Sequence, residues 1–118
     1  MNTPQYTILG QQLGPNAELV VIRGDELVTS TLAVAAGTAN FHESVIKLVR
    51  THEKDFAEFG LVRFEIRPRV AGQHGGGETE YALLNEDQAT LLITYMRNSE
   101  IVRRFKIALV RSFGEMRR

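Results

Sequence analysis

The side chains that most often perform chemistry in enzymes are sparse in this chain. There is no Cys, which excludes a thiolate zinc site, a disulfide framework and a cysteine nucleophile. The three histidines, His42, His52 and His74, are too scattered to indicate a metal site, and no serine lies in a nucleophile elbow. The glycines at 75–77 lack the Lys-Ser/Thr and the following helix of a phosphate-binding loop. We therefore expect no enzymatic activity, no metal and no cofactor.

Basic side chains are the other candidates, since Lys and Arg bind phosphate groups. The formal net charge is +0, whereas nucleic-acid-binding domains usually carry a basic excess. After Gln88 only Glu100 and Glu115 oppose a group of bases, which are Arg97, Arg103, Arg104, Lys106, Arg111, Arg117 and Arg118. This asymmetry is a weak indication of a polyanionic partner, and a solvated helix face explains it about as often.

Length and composition are typical of one folded domain. The chain has 118 residues, 43% hydrophobic and 24% charged, as in ordinary globular proteins. Residues 1–16 follow no sustained period and are interpreted as a flexible leader, and residues 17–118 as the domain. No segment has the pattern of a signal peptide or the length of a membrane span. We expect a cytoplasmic protein without a membrane partner.

A pair of helices follows a short hairpin. Residues 18–22 and 27–28 are the predicted strands, with turn residues between them. The hydroxyls at 29–31 can cap a helix over 32–36 that we expect Gly37 to end. A longer helix follows, with Phe41, Val45, Leu48, Val49 and His52 at 3.6-residue spacing. This layout is typical of a helix-turn-helix, although any packed helix pair resembles it.

The second half of the chain predicts a long hairpin and two more helices. Apolar and charged residues alternate over 62–66, polar and apolar residues alternate again over 79–83, and the segment 72–77 between them is rich in glycine. Asn85 and Gln88 have the spacing of a capping box, and residues 98–99 separate two apolar helical stripes. The predicted fold is α+β: a small winged helix-turn-helix-like domain with an N-terminal β-hairpin, a central long hairpin and two C-terminal helices.

The order of these segments resembles the Rha family of temperate-phage regulatory proteins. The strongest match is the block from 81 to 113, which fits a Tyr-x-Leu-Leu start, a Gln-Ala-x-Leu-Leu helix, an Arg-Asn break and a Val-x-x-Phe-Lys-x-x-Leu-Val-x-x-Phe helix. The matching positions are Tyr81, Leu83, Leu84, Asn85, Gln88, Ala89, Leu91, Leu92, Arg97, Asn98, Val102, Phe105, Lys106, Leu109, Val110 and Phe113. The resemblance extends from about residue 27 to residue 116. It is shared with the Bro-N and antirepressor-type domains, and it implies a DNA-binding role in phage development within a bacterial host.

The candidate DNA contacts lie on three elements. On the second helix and the bridge before it they are Asn40, His42, Ser44, Lys47 and Arg50; on the long hairpin they are Arg67, Arg69 and His74; on the last helix they are Arg103 and Arg104. His42 can bind a phosphate at a helix start or simply pack against the neighbouring helix. Glu43 and Lys47 can form an ordinary i,i+4 pair, the hairpin tip can be merely mobile, and the last helix can serve a dimer contact.

These observations favour a regulator of phage or host transcription that binds double-stranded DNA, with a homodimer as the expected assembly. The alternative is a protein-interaction module, like an antirepressor, that captures a phage or host regulator through its C-terminal helices. Zero net charge and Glu43, which stands where the family usually has a basic residue after the histidine, favour the alternative.

Overall fold

A computed structural model describes residues 19–67 and 78–117 together with two short strands, β1 (Tyr6–Ile8) and β2 (Gln11–Leu13), which pair antiparallel. The elements that follow are β3 (Val21–Arg23), β4 (Glu26–Ser30), α1 (Thr31–Thr38), α2 (His42–Thr51), α3 (Glu53–Ala57), β5 (Arg63–Arg67), β6 (Thr79–Leu84), α4 (Glu86–Thr94) and α5 (Glu100–Met116). The α+β class is confirmed. The predicted leader over 1–16 falls mostly outside the described residues and stays a prediction, as does the mobility of the hairpin tip over 72–77.

The two predicted hairpins are both present and form one antiparallel sheet in the order β3-β4-β6-β5. Gly24, with φ 65, lies in the tight turn between Arg23 and Glu26, where glycine adopts a positive φ without strain. The hairpins join where Thr29 pairs with Leu84 and Ser30 with Leu83. This junction was not foreseen, because period-two patterning predicts strands but not which distant strands pair.

Helix α1 begins as expected but ends differently. The Ser30 hydroxyl accepts a hydrogen bond from the Ala33 amide at 3.0 Å, which satisfies one free donor of the first turn. The prediction that Gly37 ends the helix is wrong, because the helix continues to Thr38 and Ala39 takes the left-handed conformation with φ 57. Gly37 instead lies against the Phe105 ring of α5, in space that a side chain would need.

Helix α2 presents a buried side and a solvent side. Val45 and Val49 are buried, as the periodicity predicts, while Leu48 and His52 are half-buried and Ile46 is buried in addition. Phe41 was placed on the apolar face, but it precedes the first helical residue and is 84% exposed. The physical reason is that a residue before the first turn has extended backbone, so its side chain does not follow the helical period.

The predicted capping box at the start of α4 is confirmed. The Gln88 amide donates to Asn85 Oδ1 at 2.8 Å, and the Asn85 amide donates to Gln88 Oε1 at 3.0 Å. The Gln88 side-chain amide also donates to the carbonyls of Phe56 and Gly60. The start of α4 therefore contacts both the end of α3 and the turn that follows it.

The core lies between the sheet and the helices, and α5 supplies two of the three buried phenylalanines among the described residues, the third being Phe56 of α3. Val102, Phe105, Leu109 and Phe113 are all buried, in agreement with the predicted stripe. They pack in one cluster with Val34 of α1. Among the described residues, no helix is long and apolar enough to cross a membrane.

Candidate nucleic-acid interface

Two turns that are far apart in sequence meet at one edge of the domain. The turn between α1 and α2 and the turn between α4 and α5 border a cleft of about 260 Å³. The cleft is lined by polar and apolar residues, which are Thr38, Asn40, Ser44, Val45, Leu48, Met96, Arg97, Ser99 and Val102. Of the residues predicted to contact DNA, Asn40 and Ser44 lie here.

Asn40 is held by three contacts. Its backbone N–H donates to the Ala35 carbonyl at 3.0 Å, which closes the turn after α1. Its side-chain amide donates to Thr38 Oγ1 at 2.9 Å and approaches Met96 Sδ at 3.8 Å, across the cleft. Within the described part of the chain, Asn40 Oδ1 has no hydrogen-bond partner. The side chain is thus oriented, with an acceptor left for a ligand.

The solvent side of α2 carries a polar stripe. Ser44 and Lys47 are both exposed and are spaced i and i+3, so they lie on one face of the helix. Asn40 precedes the first helical residue and lines the cleft beside Ser44 from the α1–α2 turn. Among the described carboxylates, none forms an ion pair with Lys47. A helix of this kind offers donors and acceptors to a groove or to phosphates.

His42 makes an internal contact instead. Its Nε2 lies 2.8 Å from Thr31 Oγ1, which accepts a hydrogen bond from the Ala82 amide at 3.0 Å. Burial lowers the pKa of His42, the positive charge of Arg50 lowers it further, and Glu43 opposes both. A neutral imidazole can accept a hydrogen bond from the Thr31 hydroxyl at Nε2. His42 therefore joins α2 to the start of α1 and to β6.

Two of the predicted arginines are committed to acidic partners. Arg50 pairs with Glu80 of β6 and stacks over the Phe64 ring at 5.6 Å, so it is directed towards the sheet and away from the cleft. Arg104 pairs with Glu100 one turn back on α5, at 3.0 Å. The Arg50–Glu80 pair depends on how α2 and β6 are placed in the fold, whereas the Arg104–Glu100 pair follows from i,i+4 spacing within α5.

The hairpin candidates are separated from the cleft. Arg67 lies at the end of β5, and it shares the strand face of Arg63 and Glu65 because side chains alternate along a strand. That face is opposite to the one carrying Phe64, over which Arg50 of α2 stacks. Arg69 and His74 lie outside the described residues.

Arg103 and Arg97 extend the polar edge of the cleft. Arg103 Nη1 donates to the Asn98 carbonyl at 2.9 Å, which draws its guanidinium back to the turn that carries Arg97. Neither residue forms an ion pair with a carboxylate in the described part of the chain. Arg97 was missed as a site residue. Its position in the Arg-Asn break was visible in the sequence, but the proximity of that break to α2 was not.

The described residues hold no cluster of three or more His, Asp or Glu side chains suited to a metal ion. One protein-family model, described as phage regulatory protein Rha, matches residues 29–118. The match covers the chain from the middle of β4 through α5. No curated protein and no solved structure matches the chain.

Proposed function

The chain belongs to the phage regulatory protein Rha family, and from this premise we propose that it binds double-stranded DNA through the solvent stripe of α2 and the adjoining α4–α5 turn. We call this surface the α2 face and define it as Asn40, Ser44, Lys47, Arg97 and Arg103. The DNA is that of the phage or its bacterial host, encountered in the cytoplasm, and binding controls transcription.

The observation that carries the proposal is the difference between paired and unpaired cations. Arg50 and Arg104 are neutralised by Glu80 and Glu100. In contrast, Lys47, Arg97 and Arg103 have no carboxylate partner among the described residues. Unpaired cations gathered at one edge create a local positive potential even when the net charge is zero.

The roles within the α2 face follow from side-chain chemistry. Lys47, Arg97 and Arg103 are suited to phosphate oxygens, which position the protein without reading sequence. Ser44 can donate to and accept from base edges, and Asn40 Oδ1 can accept from the amino group of adenine or cytosine in the major groove. Because Asn40 is already oriented by Thr38, it loses little conformational freedom on binding.

The number of unpaired cations on the α2 face sets the expected affinity for DNA and its dependence on salt. Neutralising about three phosphates gives a slope of log K against log salt of roughly −2.7 for duplex DNA, which is weak for a single domain. A homodimer presenting two such faces doubles the phosphate contacts and lets them act on two half-sites. We include this dimer in the proposal.

The test is a titration of a random-sequence duplex by fluorescence anisotropy at several salt concentrations. We expect Lys47→Ala and Arg97→Ala to weaken binding and to reduce the salt slope by about 1 each. Arg104→Ala is the matched control, because that guanidinium is exposed on a neighbouring element but already paired. The proposal fails if the wild type does not bind at about 50 mM salt, or if Arg104→Ala has the same effect as Arg97→Ala.

A further inference from the structure

Helix α5 carries an apolar stripe on its solvent side in addition to the buried one. Ile107 and Val110 are 59% and 54% exposed, and with Gly114 they are spaced i, i+3 and i+7 along one face. They form the floor of an open groove of about 690 Å³. We call it the α5 groove; it is lined by Lys106, Ile107, Val110, Arg111, Gly114, Glu115 and Arg117.

No contact within the described part of the chain explains why residue 114 is a glycine. A glycine inside a helix lowers helix stability relative to alanine. At position 37 the adjacent Phe105 ring explains the glycine, because it leaves no room for a side chain. At Gly114, a Cβ would find a single described neighbour, the tip of Arg117 at 4.0 Å. Because glycine has no side chain, another chain can approach the backbone of α5 closely at this position, as in closely packed helix pairs.

The charges around the groove specify the partner. Lys106 and Arg111 line the groove, and neither forms an ion pair with a described carboxylate. The other charged lining residues are Glu115 and Arg117, whose guanidinium pairs with Glu86. The two unpaired cations outnumber Glu115, so two copies of this surface would bring an excess of positive charge together, which is unfavourable at close range. An acidic partner would complement them and would also cover the apolar floor.

We infer that the α5 groove docks an acidic amphipathic helix of a partner protein, in addition to the DNA contact proposed for the α2 face. Apolar residues of the partner at i, i+3, i+4 and i+7 pack on Ile107 and Val110, in the helix-in-groove manner. Glu and Asp on its flanks pair with Lys106 and Arg111. Gly114 lets the partner backbone approach α5.

The inference is tested with the full chain and a synthetic acidic helical peptide of about 20 residues, labelled for fluorescence anisotropy. A scrambled peptide of the same composition has equal charge but no apolar stripe. We expect the helical peptide to bind at least about tenfold more tightly than the scrambled one. Equal binding of both peptides would overturn the inference, because charge alone would then explain the attraction.

Substitutions locate the contact. Ile107→Asp should weaken peptide binding by about tenfold or more. Ile101→Asp is the matched control and should bind the peptide like the wild type, because Ile101 is exposed on α5 but outside the groove. Gly114→Ala should raise the melting temperature and yet weaken peptide binding. Equal losses from both isoleucine variants, or unchanged peptide binding in Gly114→Ala, would contradict the inference.

Two further measurements separate the α5 groove from other uses of the surface. Sedimentation equilibrium that shows a wild-type dimer and an Ile107→Asp monomer would assign the groove to a second copy and overturn the acidic partner. Duplex affinity should be the same in Ile107→Asp as in the wild type. A large loss of DNA binding would assign the groove to DNA, whereas absence of DNA binding in both proteins would refute the proposed function and leave the peptide result standing.

Discussion

Gly37 of α1 lies directly against the aromatic ring of Phe105 on α5, so closely that any side chain at position 37 would overlap the ring. Helix propensity alone favours alanine over glycine by about 1 kcal/mol. Packing dominates here, since Phe105 is 1% exposed and cannot move aside without disturbing the core. We expect Gly37→Ala to lower the free energy of unfolding by about 1–3 kcal/mol.

The matched control is Gly114→Ala, which adds the same methyl group to a helix where it meets little of the described chain. This variant should be more stable than the wild type by up to about 1 kcal/mol. Urea unfolding followed by circular dichroism measures both. If Gly37→Ala were as stable as Gly114→Ala, the Phe105 contact would have no energetic role.

The contrast between these glycines shows what a sequence can and cannot give. The capping box of Asn85 and Gln88 was predictable, because all of its atoms lie within one helical turn. Gly37 has the local properties of a helix C-cap, and only the distant Phe105 explains why the helix continues. Interpreting it correctly would have required knowing that α1 and α5 pack together.

The same distinction applies to the candidate site. The spacing of Ser44 and Lys47 predicts from sequence alone that they lie on the polar side of α2. That Arg50 is neutralised by Glu80 and that Arg97 lies beside α2 depends on how the sheet and the α4–α5 turn are placed. These are long-range relationships that neither charge counts nor periodicity encode.

His42 should make stability depend on pH. Its pKa in the folded protein is lowered, chiefly by burial, so the unfolded chain takes up a proton at higher pH than the folded one. The stabilising contribution is therefore fully present above the ordinary histidine value of about 6.5. It is lost progressively as the pH falls from there through the folded pKa, and it is constant below that.

The measurement is the free energy of unfolding of wild type and His42→Gln between about pH 8 and pH 5. The wild type should lose more stability on acidification than His42→Gln, which cannot take up the proton. Parallel pH profiles for wild type and His42→Gln would contradict the assignment.

Gln88 should be important for stability beyond its part in the helix cap. The side chain is 2% exposed, and its amide donates to the carbonyls of Phe56 and Gly60. Gln88→Ala removes those donors and leaves the buried Phe56 carbonyl without this partner, at a cost of about 1–3 kcal/mol. Thr90→Ala, on the exposed side of α4, should change stability by less than about 0.5 kcal/mol. Chemical denaturation of both variants checks this, and equal effects would contradict it.

The most direct test of the α2 face is chemical-shift mapping of the ¹⁵N-labelled chain with a short random-sequence DNA duplex at low salt. We expect the largest amide shifts at residues 39–48 and 96–103, with small shifts on β5, β6 and the second half of α5. Shifts centred on residues 106–115, or on β5 and β6, would show that DNA binds elsewhere. No shifts at millimolar duplex would contradict DNA binding itself.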